Sequence, residues 1–181
     1  YGIYFNDAWS NTIRGNYVYQ NGIDGLYLYS SRYNDVLYNT FESNLGDAIR
    51  LYLANYNDFS YNSVRSNAND GFDIRSSNYT VVSFNSITGN TNNAIYIYSS
   101  HYSDVLNNAI DNTGGWSFHL LRSNGTELRN NIVNHPTSYG VYSSTSYNTI
   151  FTNNTACGYS WDFYTPTSTY TANENTCNLA Y

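Results

Sequence analysis

The sequence predicts an all-β protein, a single-stranded right-handed parallel β-helix of about eight coils with 22–23 residues each. Three observations predict this fold. A 23-residue repeat runs through the chain, apolar residues in each repeat alternate at period two, and Asn and Gly recur between the alternating stretches. Alternation at period two indicates strands, whereas Asn and Gly mark corners.

The repeat is clearest in "GIDGLYLYSSRYNDVLYNTFESN", residues 22–44. A single three-strand unit cannot bury its own apolar face, so the units must stack. Stacked coils rise by about 4.8 Å each, and eight coils make a rod roughly 40 Å long. The whole chain, 1–181, is therefore one domain, with coils at approximately 1–21, 22–44, 45–67, 68–90, 91–113, 114–136, 137–158 and 159–181.

Each coil is predicted to hold three short strands. In the second coil they centre on Leu26, Val36 and Phe41, which point inward and recur as apolar columns in the coils that follow. An asparagine column runs from Asn16 to Asn154 at 23-residue intervals. We expect these asparagines to adopt left-handed backbone geometry at a corner and to hydrogen-bond to one another. A leucine-rich repeat of the same period is excluded because no unit has a helical second half.

Composition limits the function. The net charge of −6 argues against nucleic acid as a partner. No apolar run is long enough for insertion into a membrane. Three Asn-x-Ser/Thr sequons, at Asn78, Asn124 and Asn153, are candidates for glycosylation and favour a secreted or cell-surface location.

The two cysteines, Cys157 and Cys177, lie in the last two predicted coils, 20 residues apart. They are expected to face each other, and the spacing suits a disulfide that would pin the terminal coil. A free reactive thiol is the alternative.

Tyrosine dominates the predicted outward positions, and the chain contains 22 of them. Tyrosines that repeat in every coil would stack ring on ring along the rod. An aromatic surface of this extent is unusual for a monomer and favours contact with a glycan or with another subunit. The predicted ligand or partner face consists of Tyr27, Tyr29, Tyr52, Tyr96, Tyr98, Tyr33, Tyr56, Tyr79 and Tyr102.

Charged residues interrupt this pattern in the third and fourth coils, where Arg50 should lie below Asp73. One interpretation is a surface ion pair that contributes little to stability, with Asp70 capping backbone N–H groups at the corner. The other is a catalytic or sugar-binding site, in which Asp70 and Asp73 act as acid and as base or nucleophile, while Arg50 and Arg75 hold an acidic sugar. We favour the structural interpretation.

A metal site is the third hypothesis for these acids. The column formed by Asp24, Asp47 and Asp70 would bring like charges about 5 Å apart, which a hard cation such as Ca²⁺ would relieve. No zinc or haem ligand spacing occurs in the sequence.

The repeats resemble the parallel β-helix repeats of carbohydrate-binding and sugar-hydrolysing domains and of NosD-like surface proteins. This resemblance covers the whole chain and implies the fold, but not an activity. "NDGFD", residues 69–73, also resembles the first catalytic motif of polygalacturonase-type glycosidases. The other motifs of that family are absent: the sequence has no paired Asp-Asp, no Gly-His-Gly and no Arg-x-Lys segment.

The sequence opens in mid-motif and closes without a capping element, so we expect either a piece of a longer rod or subunits that stack end to end. Together with the tyrosines, this favours a non-enzymatic extracellular protein, a subunit of a filament, sheath or surface layer that self-associates head-to-tail or laterally. The alternative is a carbohydrate-binding or carbohydrate-active module of the lyase or hydrolase type.

Overall fold

A computed structural model describes residues 1–135, 137–156 and 163–176. The described residues form three parallel sheets that run along a rod, with strands β1 to β23 numbered in chain order. Seven complete three-strand coils are followed by β22 and β23. The predicted parallel β-helix is thus confirmed, with slightly fewer complete coils than the eight expected.

The three sheets take every third strand in turn. The first sheet contains β1 (Ile3–Asn6), β4 (Leu26–Tyr29), β7 (Ile49–Tyr52), β10 (Phe72–Arg75), β13 (Ile95–Tyr98), β16 (Phe118–Leu121), β19 (Val141–Ser144) and β22 (Phe163–Tyr164). The second contains β2 (Thr12–Arg14), β5 (Asp35–Leu37), β8 (Asp58–Ser60), β11 (Val81–Ser83), β14 (Asp104–Leu106), β17 (Glu127–Arg129), β20 (Thr149–Thr152) and β23 (Tyr170–Asn173). The third contains β3 (Tyr17–Tyr19), β6 (Thr40–Glu42), β9 (Ser63–Arg65), β12 (Ser86–Thr88), β15 (Ala109–Asp111), β18 (Ile132–Asn134) and β21 (Thr155–Ala156).

The strand register follows the 23-residue repeat. Leu26 pairs with Ile49, and Ile49 pairs with Phe72. Successive side chains along a strand point to opposite faces, so every second side chain points into the rod. The inward apolar columns form one continuous core. Within the described residues the spacing between paired positions falls below 23 in the last coil, where Phe163 pairs with Val141.

Asparagine side chains hold the corners together. Asn62 Nδ2 donates to the Val36 carbonyl at 2.8 Å and to Asn85 Oδ1 at 3.1 Å. Asn62 Oδ1 accepts the Asn39 backbone N–H at 2.9 Å. The predicted bonding between coils is confirmed, and it satisfies polar groups that are shielded from water.

The prediction that these asparagines adopt left-handed geometry is wrong for the buried column. The residue before the asparagine does so instead: Tyr61, before Asn62, has φ +58°. Each coil has such bends at several corners, and in the third coil Leu53, Tyr56 and Ser66 also have positive φ. The bend turns its own side chain outward and lets the following side chain point into the corner.

No described segment forms a helix of the length and apolarity needed to cross a bilayer.

Candidate functional site

Three of the charged residues singled out in the sequence, Arg50, Asp73 and Arg75, lie together on the outer side of the first sheet. Arg50 pairs with Asp73 across β7 and β10, and Asp73 pairs in turn with Tyr96 on β13. Arg75 lies beside them, between Tyr52 and Tyr98 in neighbouring strands. The 23-residue spacing therefore correctly predicted which residues meet.

Asp73 is the centre of this group. Its Oδ1 accepts a hydrogen bond from Arg75 Nε at 2.7 Å. Its Oδ2 lies 3.3 Å from Arg50 Nε, an ion pair without hydrogen-bond geometry. The Asp73 side chain is 0% exposed, whereas the Arg50 and Arg75 side chains are 34% and 40% exposed. The predicted ion pair between Arg50 and Asp73 is present, but its location at the surface is wrong, because the arginines cover a fully buried carboxylate.

The acids at the start of the strands cap backbone groups. Asp24 Oδ1 accepts the Asp47 N–H at 2.8 Å, and Asp47 Oδ1 accepts the Asp70 N–H at 3.0 Å. Asp70 Oδ1 accepts the Asn93 N–H at 2.8 Å. All three acids are almost completely buried. The hydrogen bonds confirm the predicted capping role of this column.

Burial perturbs these carboxyl groups. Burial, followed by repulsion from the neighbouring carboxylates, raises the pKa of Asp47 to about 8. Burial also raises the pKa of Asp70 to about 6, although a hydrogen bond from the Asn93 backbone opposes the rise. The pKa of Asp24 is raised for the same main reason, its burial. At neutral pH the column is therefore only partly ionised.

Among the described residues, a cation could be held by Asp47, Asp70 and Asp73, which each offer one oxygen within 4.8 Å of the others. This set replaces Asp24 of the predicted metal column with Asp73. Carboxylate oxygens suit Ca²⁺. A cation there would share the carboxylates with Arg50, whose Nε already lies 3.8 Å from Asp47 Oδ2 and 3.3 Å from Asp73 Oδ2.

The two guanidinium groups line an open depression of about 330 Å³ together with Tyr1, Tyr27 and Tyr52. Arg50 Cζ lies 5.9 Å from the centre of the Tyr27 ring. Neighbouring arginines and tyrosines thus form a surface that can contact both the carboxylate and the ring of an acidic sugar.

The predicted tyrosine face consists of two separate surfaces. Tyr27, Tyr29, Tyr52, Tyr96 and Tyr98 belong to the strands of the first sheet and surround the arginines. The other four stack in one row at the corner between the first and second sheets, with ring centres 4.7 to 5.3 Å apart. These are Tyr33, Tyr56, Tyr79 and Tyr102.

Two aromatic groups were not predicted from the sequence. Tyr38, Tyr61 and Phe84 stack at 5.0 Å at the next corner. The signal for them was present, because they occupy the positions directly before the asparagine column. The second group contains Trp116, which takes the position that Asp24, Asp47 and Asp70 hold in earlier coils.

The glycosylation candidates differ in their contacts. Asn78 Oδ1 accepts the His101 N–H at 2.8 Å, and Asn124 Oδ1 accepts the Tyr147 N–H at 2.9 Å. Asn153 instead uses its Nδ2, which donates to Asn130 Oδ1 at 2.9 Å. Glycosylation at the three sequons stays a prediction. The predicted disulfide between Cys157 and Cys177 lies outside the described residues.

The protein is thus a parallel β-helix, and the arginines and tyrosines along its first sheet form a candidate ligand-binding face. A family model described as "Right handed beta helix region" matches residues 1–158. The chain therefore belongs to the right-handed β-helix family. A search of curated protein sequences finds no significant match.

Solved structures share the fold at low identity. The A-module of the mannuronan C-5 epimerase AlgE6 from Azotobacter vinelandii is 18% identical, with a TM-score of 0.82 over 97% of this chain and 54% of that one. A double mutant of the periplasmic alginate epimerase AlgG is 16% identical, with a TM-score of 0.81 over 97% and 48%. The pectate lyase Pel9A is 13% identical, with a TM-score of 0.56 over 97% and 59%. The chain thus spans about half the length of these proteins, and the similarity shows the fold alone.

Proposed function

We propose that the protein is a carbohydrate-binding β-helix module and that the outer face of its first sheet binds an acidic polysaccharide. The observation that carries the proposal is the pair of partly exposed guanidinium groups, Arg50 and Arg75, held side by side by the buried Asp73. Arg75 binds Asp73 through Nε, so its Nη atoms remain for a second partner. Arg50 also pairs with Asp24, whose Oδ2 lies 3.6 Å from its Nη1, so its Nη2 remains for a ligand. Two such groups in adjacent coils suit carboxylates on one polymer.

Tyrosine rings complete the binding surface. Tyr27 lies against Arg50, and Tyr96 lies under Arg75, whose Cζ is 5.3 Å from the ring centre. Aromatic rings offer apolar contact to the C–H faces of a sugar, while their hydroxyl groups hydrogen-bond to its oxygens. A binding site with both elements fits a polymer of uronic acids better than a neutral glycan or a free carboxylate.

The geometry supports binding more directly than catalysis. Asp73 is fully buried and Asp70 is 2% exposed; the guanidinium groups cover Asp73, while Asp70 Oδ1 accepts hydrogen bonds from Asn93. A general acid or base must come within hydrogen-bond reach of the substrate. Catalysis by Asp73 would require Arg50 or Arg75 to move away first.

The structural neighbours agree with this ligand class. Their names refer to alginate, mannuronan and pectate, which are all polymers of uronic acids. A location outside the cytoplasm is part of the proposal, since polysaccharides of this kind are extracellular and one neighbour is described as periplasmic. Assembly into a filament stays a prediction from the sequence, and negative-stain microscopy of the purified protein would test it.

Affinity electrophoresis in gels that contain polygalacturonate or alginate tests the binding site. Arg50→Gln and Arg75→Gln should each weaken binding roughly tenfold or more, because each removes a charge-assisted contact. Arg65→Gln is the matched control, since Arg65 is an exposed arginine on the third sheet. Equal retardation of the control and both site variants would refute the proposed site.

A further inference from the structure

The outer face of the first sheet changes character beyond the arginines. The column that carries Asp24, Asp47 and Asp70 continues with Asn93 and then with two aromatic residues. These combine with outward residues of β13, β16, β19 and β22 in one patch, here called the aromatic platform. Its members are Tyr96, Trp116, His119, Tyr139, Tyr142 and Tyr164.

The rings of the platform contact one another directly. Trp116 stacks on Tyr142, with ring centres 4.7 Å apart and planes 13° from parallel. His119 meets Trp116 edge-on at 4.3 Å. Tyr139 stacks on Tyr164 at 5.2 Å. Such contacts fix the rings in place, so a ligand that binds there does not have to order them.

The platform is continuous with the arginine site. Arg75 lies over Tyr96, and the Tyr96 ring centre is 4.6 Å from that of His119. The platform also carries no charge near neutral pH, because burial lowers the pKa of His119 to about 4. Uncharged aromatic rings suit the C–H faces of sugar rings rather than their carboxylates.

We propose that the aromatic platform binds the sugar residues that follow the one held by Arg50 and Arg75, so that a single acidic polysaccharide lies along the axis of the rod. This inference rests on the proposed function. The distance from the fourth to the eighth coil is about 20 Å at one coil per 4.8 Å. A polymer that follows the axis would thus cover several sugar residues, and its affinity would depend on length.

Isothermal titration with size-fractionated oligogalacturonates or oligoalginates, from two to eight residues, tests the proposal. The wild-type affinity should rise with each added residue until the platform is filled. Trp116→Ala should lose about tenfold in affinity for the longest oligomers and little for the shortest one that binds. The retained binding of the short oligomer shows that the variant is folded. Tyr102→Ala is the matched control, because Tyr102 is an exposed tyrosine in the corner row.

The outcomes separate the two proposals. If Arg50→Gln and Arg75→Gln bind oligomers of every length as the wild type does, the arginine site itself is refuted. If those variants lose binding but Trp116→Ala behaves like Tyr102→Ala at every length, the platform proposal alone is overturned. An affinity that does not rise beyond the shortest binding oligomer would overturn it as well.

Discussion

Asp47 and Asp70 are buried near the arginine site. Because they lose their protons between pH 5 and 9, we predict that the affinity for an acidic polysaccharide falls over this range. At pH 5, Asp47 and Asp70 are largely protonated, because their pKa values are raised to about 8 and about 6. Both lose their protons by pH 9. The polymer does not change in this range, since ordinary carboxyl groups are ionised above pH 5.

The magnitude follows from two added negative charges. At about 7 Å from a bound carboxylate and an effective dielectric constant near 40, each charge costs roughly 1 kcal/mol. Two charges cost about 2 kcal/mol, which corresponds to a roughly thirtyfold loss of affinity. Titration calorimetry at pH 5, 7 and 9 and constant ionic strength measures the loss directly.

Asp47→Asn is the variant that isolates the cause. Without the group that titrates near pH 8, the fall between pH 7 and 9 should largely disappear, and the affinity at pH 9 should be about fivefold higher than that of the wild type. An affinity that stays flat or rises with pH in the wild type would refute the electrostatic reasoning. A decline of the same size in Asp47→Asn would also contradict it.

Three further predictions concern stability. Asn62→Ala leaves the Val36 carbonyl and the Asn39 amide unsatisfied and should lower the free energy of unfolding by about 3 kcal/mol. The control Asn92→Ala, at an exposed position, should change it by less than about 0.5 kcal/mol. Similar effects of the two variants in urea denaturation would contradict the role of Asn62 at the corner. Tyr56 has φ +58°, so Tyr56→Gly should be more stable than Tyr56→Ala by about 1 kcal/mol, and the reverse order would show that backbone strain is not significant there. Arg50 already pairs with the acids, so neither EDTA nor excess Ca²⁺ should change the melting temperature of the wild type. Ca²⁺ should raise the melting temperature of Arg50→Gln by a few degrees. If EDTA lowers the melting temperature of the wild type, a resident cation is established instead.

The sequence predicted the fold because one period determines every contact between coils. Once Leu26, Ile49 and Phe72 share a column, the pairing of Arg50 with Asp73 follows without further information. The same reasoning identified the corner asparagines, whose side chains bond one coil to the next.

The burial of individual side chains and the backbone geometry of the corners could not be predicted in this way. The 23-residue repeat shows which residues are neighbours in adjacent coils. It does not show that two long arginine side chains fold over Asp73 and bury it. Nor does it show which residue at a corner adopts left-handed geometry, because Tyr61 is an unfavourable choice by propensity. The aromatic platform was missed because Trp116 breaks its column rather than continuing it.

The most direct test of an acidic-polysaccharide site compares polygalacturonate with the same polymer after chemical reduction of its carboxyl groups. Titration calorimetry of the wild-type protein at pH 5 measures both affinities with an unchanged sugar backbone. We expect binding to the native polymer and a loss of at least tenfold for the reduced one, because Arg50 and Arg75 then have no carboxylate to contact. Equal affinity for the two polymers would contradict the role assigned to the arginines.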